Sequence, residues 1–414
     1  MKKSNLILIY ATILMILSQT EWARYVVFLS IPLLIVLMFR NTRVSKKVFK
    51  KLFYLNLIVL LGFVSGIIHL PEYNLYFFGR DIMYFIQAPV FIIIGIYLYK
   101  EVKDFRKLLK MIILTSFVIT VYNLTELFVD PAIIFRLGLE TRYEYHLSNS
   151  TAFLAFVILF YAKKLHYRLF QKYVETTILI VSLFSIIISF SRTFYLLLII
   201  ILIIPYIYNK RTIFYMYFTS VVLMLFIIFG GLFLQVSSNT IKEKTFESKV
   251  TNSLNEIIVH NYNTSAEINN NWRGYEAYLG LEKYYQGNFM EILFGQGFGS
   301  YARSPFWIFQ GEKLDILPMF HNGYITILLK TGIIGLLLFF LFLWKLLQIA
   351  VTASKVDSNK TIKLSGLLLT SSIFVILLQT LVVHGIFKTT VPVLLLFLMG
   401  IVLYIIVTEK ERVY

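Results

Sequence analysis

Cysteine is absent from the 414 residues. Disulfide frameworks, thiolate nucleophiles and zinc–thiolate centres are therefore excluded, and the compartment cannot be read from redox usage. Charge is scarce as well, at 15% of residues, against 58% hydrophobic and 17% aromatic. With a mean hydropathy of +0.76, this composition excludes an ordinary water-soluble globular chain. No Asp-x-Asp pair is present to hold a metal against a nucleotide sugar, and no Gly-x-Ser-x-Gly elbow is present for acyl transfer. The six histidines show no metal-ligand spacing with a third donor nearby, so neither a metal nor another cofactor is expected.

What the chain has instead is apolar runs bounded by charge. These predict about twelve transmembrane helices, near 5–20, 25–39, 52–70, 82–99, 108–129, 149–162, 175–190, 193–208, 213–236, 321–344, 363–383 and 390–407. The expected fold class is an all-α polytopic membrane protein, with residues 1–414 forming one integral membrane domain. Met1 to Gln19 begins with Lys2 and Lys3 and then runs apolar like a signal peptide. It lacks a small-residue cleavage site, so it is expected to stay as the first helix.

Loop charges test that count. Basic clusters at Arg40–Lys51, Lys100–Lys110, Lys163–Lys172 and Lys210–Arg211 fall in alternate loops, which are therefore assigned to the cytoplasm, with both termini. Most of the 39 Lys and Arg, but few of the 22 Asp and Glu, lie on that side. The net +17 thus reflects membrane orientation, and nucleic acid is not an expected partner. One long hydrophilic segment, 235–319, falls outside between helices 9 and 10. Its second part, Trp272 to Phe309, is rich in Tyr, Phe and Gly and is expected to fold. Trp272, Tyr275 and Leu279 share one face of a short helix suited to the membrane surface.

Seven arginines, Arg24, Arg80, Arg136, Arg142, Arg192, Arg273 and Arg303, fall on the outer side, against the positive-inside bias. Arg192 stands out because Ser191-Arg192-Thr193 is nearly the whole connection between two apolar helices. An unpaired arginine at membrane depth costs about 2.5 to 3.5 kcal/mol. Its guanidinium fork suits a phosphate or diphosphate; the alternative is an arginine reaching to lipid headgroups. Arg273 has an ordinary reading too, as an ion pair with Glu276 three residues on, and Arg80, Arg303 and the others read as surface charges. His321 starts the run His321-Asn322-Gly323-Tyr324 where the long loop re-enters the membrane. Neutral imidazole there is a candidate general base, the alternative being a capping or interfacial histidine. Gly295-Gln296-Gly297-Phe298-Gly299 is a poor dinucleotide fingerprint, since no strand or compact βαβ unit surrounds it, and reads as a tight turn. The aromatics Tyr275, Tyr278, Tyr284, Tyr285, Phe298, Tyr301, Phe306 and Trp307 suit either stacking on sugars or an interfacial aromatic belt.

Taken in order, Ser189-Phe-Ser191-Arg192, Trp272-Arg273, Phe294-Gly-Gln-Gly-Phe-Gly299, His321-Asn-Gly-Tyr324 and Lys330-Thr-Gly-Ile-Ile-Gly335 resemble the O-antigen ligase and polymerase superfamily, which includes Wzy-type polymerases. The resemblance covers about Thr176 to Leu347; the first 150 residues resemble it only in being hydrophobic helices. It implies a fold like that of type C glycosyltransferases. It also implies inverting, metal-independent transfer from an undecaprenyl-diphosphate-linked oligosaccharide to a sugar hydroxyl, on the outer face of the bacterial cytoplasmic membrane. By position, Arg192 and Arg273 would grip the diphosphate and His321 would deprotonate or orient the acceptor hydroxyl. Arg303, Tyr275, Asn322 and Tyr324 are the expected substrate-binding neighbours. The expected activity is polymerisation of repeat units for O-antigen, capsule or exopolysaccharide, with membrane lipids, a chain-length regulator and a flippase as partners. A ligase using the same donor, a flippase or transporter, and a polyprenyl-monophosphate transferase with Glu21 as base remain the alternatives.

Overall fold

The computed structural model describes residues 3–40, 46–129, 150–189, 191–207, 268, 271–304, 308–309, 312–313, 315–356, 359–387 and 393–413. Helices dominate them because long apolar runs with few breakers can satisfy their backbone hydrogen bonds only internally once water is excluded. In chain order these are α1 Lys3–Leu17, α2 Val26–Arg40, α3 Lys46–Lys51, α4 Phe53–Ile68, α5 Leu75–Val102, α6 Phe105–Val129, α7 Ser150–Lys164, α8 Lys172–Ile188 and α9 Arg192–Ile207. After the long hydrophilic stretch come α10 Trp272–Tyr285, α11 Phe289–Phe294, α12 Gly323–Ser354, α13 Lys360–Val382 and α14 Val393–Val413. Between α11 and α12 lie two short antiparallel ribbons. One pairs β1 Ala302–Arg303 with β4 Ile316–Leu317, and the other pairs β2 Ile308–Phe309 with β3 Glu312–Lys313.

Four stretches of the described residues are long and apolar enough to cross a membrane: Leu75–Val102, Phe105–Thr125, Gly323–Ser354 and Lys360–Val382. Shorter apolar helices, among them Val26–Arg40, Phe53–Ile68 and Thr193–Pro205, stand beside them. The expected span near 213–236 lies outside the described residues. Of the four long stretches, Lys360–Val382, which is α13, is the most enclosed, being apolar and buried over most of its length. One continuous cluster of buried side chains runs from α1 through α14, and a second, smaller one joins α10, the β1–β4 ribbon and the start of α12.

Two departures from the expected elements bear on the site. Helix α5 starts at Leu75, seven residues earlier than 82, capped by the Asn74 side chain, which accepts from the Tyr76 N–H at 2.8 Å. Arg80 and Asp81, which bounded the apolar run in sequence, lie inside the helix because Asp81 is neutralised by a partner from α12. Helix α12 is not straight. Gly332, at φ 66° and ψ −173°, breaks it, in a backbone region that suits glycine. The Tyr324 ring lies 6.2 and 5.6 Å from those of Phe339 and Phe340, positions that a straight helix would separate by roughly 23 Å along its axis. The segment before Gly332 is therefore folded back on the segment after it.

Candidate functional site

The bend in α12 creates a local problem, since a helix end leaves carbonyls without intrahelical donors. The Phe294–Ser300 run solves it. Gln296 N–H donates to Leu329 O at 2.8 Å and Gly297 N–H to Lys330 O at 3.1 Å. On its other side the run lies against α4, where Phe298 N–H donates to Gly62 O at 2.8 Å and the Ser65 hydroxyl donates to Phe294 O at 3.1 Å. Gly295, Gly297 and Gly299 all have φ between 83° and 92°. A Cβ on Gly297 would stand 2.1 Å from the Gly66 nitrogen. The Gly62-Phe-Val-Ser-Gly66 spacing of small residues gives this approach its room. The expected tight turn is thus present, but it is buried between two helices: Phe298 is fully buried, its ring 4.7 Å from that of Phe85.

Around this run the contacts are polar. Tyr73 O–H donates to Gln296 O at 3.0 Å and Gln296 Nε2 donates to Lys283 O at 2.8 Å. Burial, with Glu291 and Glu72 adding to it, pushes the Tyr73 phenol well above its ordinary range, so it remains a donor at any physiological pH. His69 meets Ser65 O through Nδ1 and Glu291 Oε1 through Nε2, both at 2.9 Å, tying α4 to α11.

One helical turn further on, three charges meet. Lys330 Nζ lies 2.6 Å from Asp81 Oδ2 and also donates to Ser300 O. The same carboxylate oxygen accepts from Gly299 N–H at 2.9 Å, while Oδ1 accepts from Arg80 Nη2 at 2.9 Å. Lys330 and Asp81 are both fully buried, a placement that holds only for paired charges. Arg80, expected to be a surface charge, has a side chain only 18% exposed. Its guanidinium lies 5.0 Å from the Phe77 ring and 5.6 Å from the Tyr84 ring.

The second constellation surrounds His321. Its backbone N–H and its Nδ1 both lie 2.8 Å from Glu276 Oε2, and the Glu276 side chain is 4% exposed. With the carboxylate ionised, Nδ1 carries the proton and donates, which makes Nε2 the basic nitrogen. The imidazole stands edge-on to Trp272, centroids 4.1 Å apart at 81°, and 4.6 Å from the ring of His384. Arg273 lies against Trp272, its guanidinium carbon 5.4 Å from the Trp272 ring centroid. Helix α10 therefore brings Trp272 and Glu276 to His321, two residues before the start of α12. Glu276, read in sequence only as a partner for Arg273, is instead the group that orients His321.

The remaining sequence candidates divide. Asn322 caps α12, its Oδ1 accepting from Tyr324 N–H at 3.1 Å. Tyr324 is buried, and its hydroxyl donates to Leu377 O at 2.8 Å. Tyr275 is buried in the smaller cluster. Both tyrosines thus occupy packing positions, whereas Arg303 is exposed on β1. Arg192 opens α9 as expected, but its side chain lies outside the described residues, as do those of Glu21 and Arg24. Arg136, Arg142, His146, His260, Phe306 and Trp307 also lie outside them.

A bundle of apolar helices, several long enough to span a bilayer, defines a multi-pass membrane protein. The family model described as O-antigen ligase matches residues 177–340. The matched stretch, which includes Arg192, Arg273, Glu276, His321 and Lys330, is similar to that family. No curated protein and no solved structure matches the chain.

Proposed function

We propose that the protein polymerises oligosaccharide repeat units carried on undecaprenyl diphosphate, working on the outer face of the bacterial cytoplasmic membrane with both termini inside. Twelve spans, and an outer position for 235–319, belong to the same proposal. The observation that carries it is the imidazole of His321, fixed through Nδ1 by the buried Glu276 carboxylate and bordered by Trp272, on whose ring Arg273 lies. A histidine held this way accepts a proton at Nε2 and is stabilised when it does.

The reaction follows from those parts. An acceptor hydroxyl gives its proton to His321 Nε2 as its oxygen attacks the anomeric carbon of the donor, from the face opposite the diphosphate. The glycosidic bond to phosphate breaks, the diphosphate leaves with the bonding electron pair, and the new linkage is inverted. Arg192 and Arg273 neutralise the charge that develops on the leaving group. Diphosphate is a good leaving group already, so orientation and electrostatics supply most of the acceleration.

A polymerase and a ligase differ in the acceptor, so cells decide between them. In a strain deleted for this gene, wild type restores long chains, whereas His321→Ala and Arg192→Ala leave single repeat units at normal membrane levels of protein. Wild-type chains from both variants would overturn the reading. Single units on a finished lipid anchor in the deleted strain, without accumulated donor, support the polymerase; loss of all glycan from that anchor points to the ligase.

A further inference from the structure

The charges around Asp81 do not balance. Lys330, fully buried, is satisfied by Asp81 and Ser300. The one carboxylate is then shared by two cations and the Gly299 N–H, which leaves the group with a surplus positive charge. That surplus sits on Arg80. Among the described residues Asp81 is its only ion-pair partner, and its Nε is buried without a hydrogen-bond acceptor. A buried guanidinium donor without an acceptor is costly, and net charge near a membrane interior costs further. Such a group persists where an anion completes it.

The surroundings describe that anion. Phe77 and Tyr84, three residues before and four after Arg80 on the same helix, flank the guanidinium and hold its plane. Asp81 fixes one edge through Nη2 and leaves the remaining donors of a rigid fork to a group with several coplanar acceptor oxygens. Beside it, a Cβ built on Gly79 meets no atom of the described residues within 4 Å, so among them the helix is open there. Arg80 is the sixth residue of a helix long and apolar enough to cross a membrane. The abundant oxyanions at that level of a bilayer are phosphoryl groups.

We infer that Arg80, with the Asp81–Lys330 pair behind it, is a phosphate-binding residue contributed by the first half of the chain, outside the residues that match the family. Two sources share this chemistry, the diphosphate of a lipid-linked substrate and the headgroup of a membrane phospholipid. The first source rests on the function proposed above; the second does not.

The test is binding without turnover. The full-length protein is purified in a maltoside detergent, which carries no phosphate, and titrated by calorimetry with farnesyl diphosphate, with phosphatidylglycerol and with farnesol. Arg80→Gln is expected to weaken diphosphate binding about tenfold or more, the loss of at least one charge-assisted hydrogen bond, while leaving farnesol binding unchanged. Arg80→Lys keeps the Asp81 ion pair but loses the fork, so it also weakens binding at an unchanged melting temperature; if Gln lowers that temperature, the Lys variant alone decides. Arg80-dependent binding of phosphatidylglycerol assigns the site to a lipid headgroup, and Arg80-dependent binding of the diphosphate alone assigns it to the substrate. Wild-type affinity for both phosphates in the deciding variant overturns the inference. A protein that holds diphosphate through Arg80 but makes no polymer contradicts the proposed function and leaves this site standing.

Discussion

Replacing Glu276 by Gln separates charge from geometry at His321. Both 2.8 Å contacts of His321, from its backbone N–H and from Nδ1, end on the same oxygen, Glu276 Oε2. A glutamine retains an oxygen in that place, so the ring can keep its orientation while its partner becomes neutral. On the proposed mechanism, what is lost is the stabilisation of the imidazolium that forms as the acceptor proton arrives. Converting a charge-assisted hydrogen bond to a neutral one costs about 1 to 1.5 kcal/mol. The Coulomb attraction between unit charges about 4 Å apart, at an effective dielectric near 20, sets an upper bound of about 4 kcal/mol. The turnover number should therefore fall by a factor between roughly 10 and 10³, with the Michaelis constant for the lipid-linked donor nearly unchanged. Glu276→Asp keeps the charge but withdraws it by about one bond length, so it should recover part of the lost rate. The assay is single-turnover transfer by purified protein with a defined lipid-diphosphate donor. A wild-type turnover number in Glu276→Gln would refute the role given to the carboxylate.

Other outcomes follow from the packing. Lys330→Met leaves Asp81 without its buried partner and should cost about 3 to 5 kcal/mol, read as a large drop in melting temperature in detergent; a neutral result would mean that Arg80 alone compensates Asp81. Gly297→Ala places a methyl group against the Gly66 backbone at a φ of +85° and should destabilise the protein by more than the ~1 kcal/mol of an ordinary glycine replacement. Proteolysis of α11 and the following run would report the loosening. Tyr324→Phe removes a buried hydroxyl bonded to Leu377 O and should cost about 1 kcal/mol of stability with transfer intact. Loss of transfer at unchanged stability would instead return Tyr324 to the substrate.

Local features were legible in the sequence. Apolar runs bounded by charge located α1, α2, α4 and α6 to α9 within a few residues, because a bilayer-length helix is specified by its own composition. The order of short motifs led to the same superfamily as the family match, and the start of a helix after His321 was visible in Asn322, its cap. Pairings between distant residues were not legible. Glu276 lies 45 positions from His321, and Asp81 lies 249 from Lys330. Helix packing alone decides such meetings, and periodicity does not fix it. For the same reason Arg80 and Asp81 looked like the boundary of a helix when they lie within one. The bend at Gly332 was hidden too, since Lys330-Thr-Gly-Ile-Ile-Gly335 reads as continuous helix unless the acceptors for Gln296 and Gly297 N–H are known. The Gly62 and Gly66 pair is a legible signal of close helix approach, small residues four apart in an apolar helix.

The proposed mechanism is glycosyl transfer from a lipid diphosphate, with His321 as base. Its most direct test is reconstitution: purified wild type, supplied only with undecaprenyl-diphosphate-linked repeat units and no nucleotide sugar, should release undecaprenyl diphosphate as a ladder of longer glycans appears. His321→Ala, folded and at equal concentration, should slow both by about 10² or more. No ladder from the wild type, or equal ladders from wild type and His321→Ala, would contradict the account.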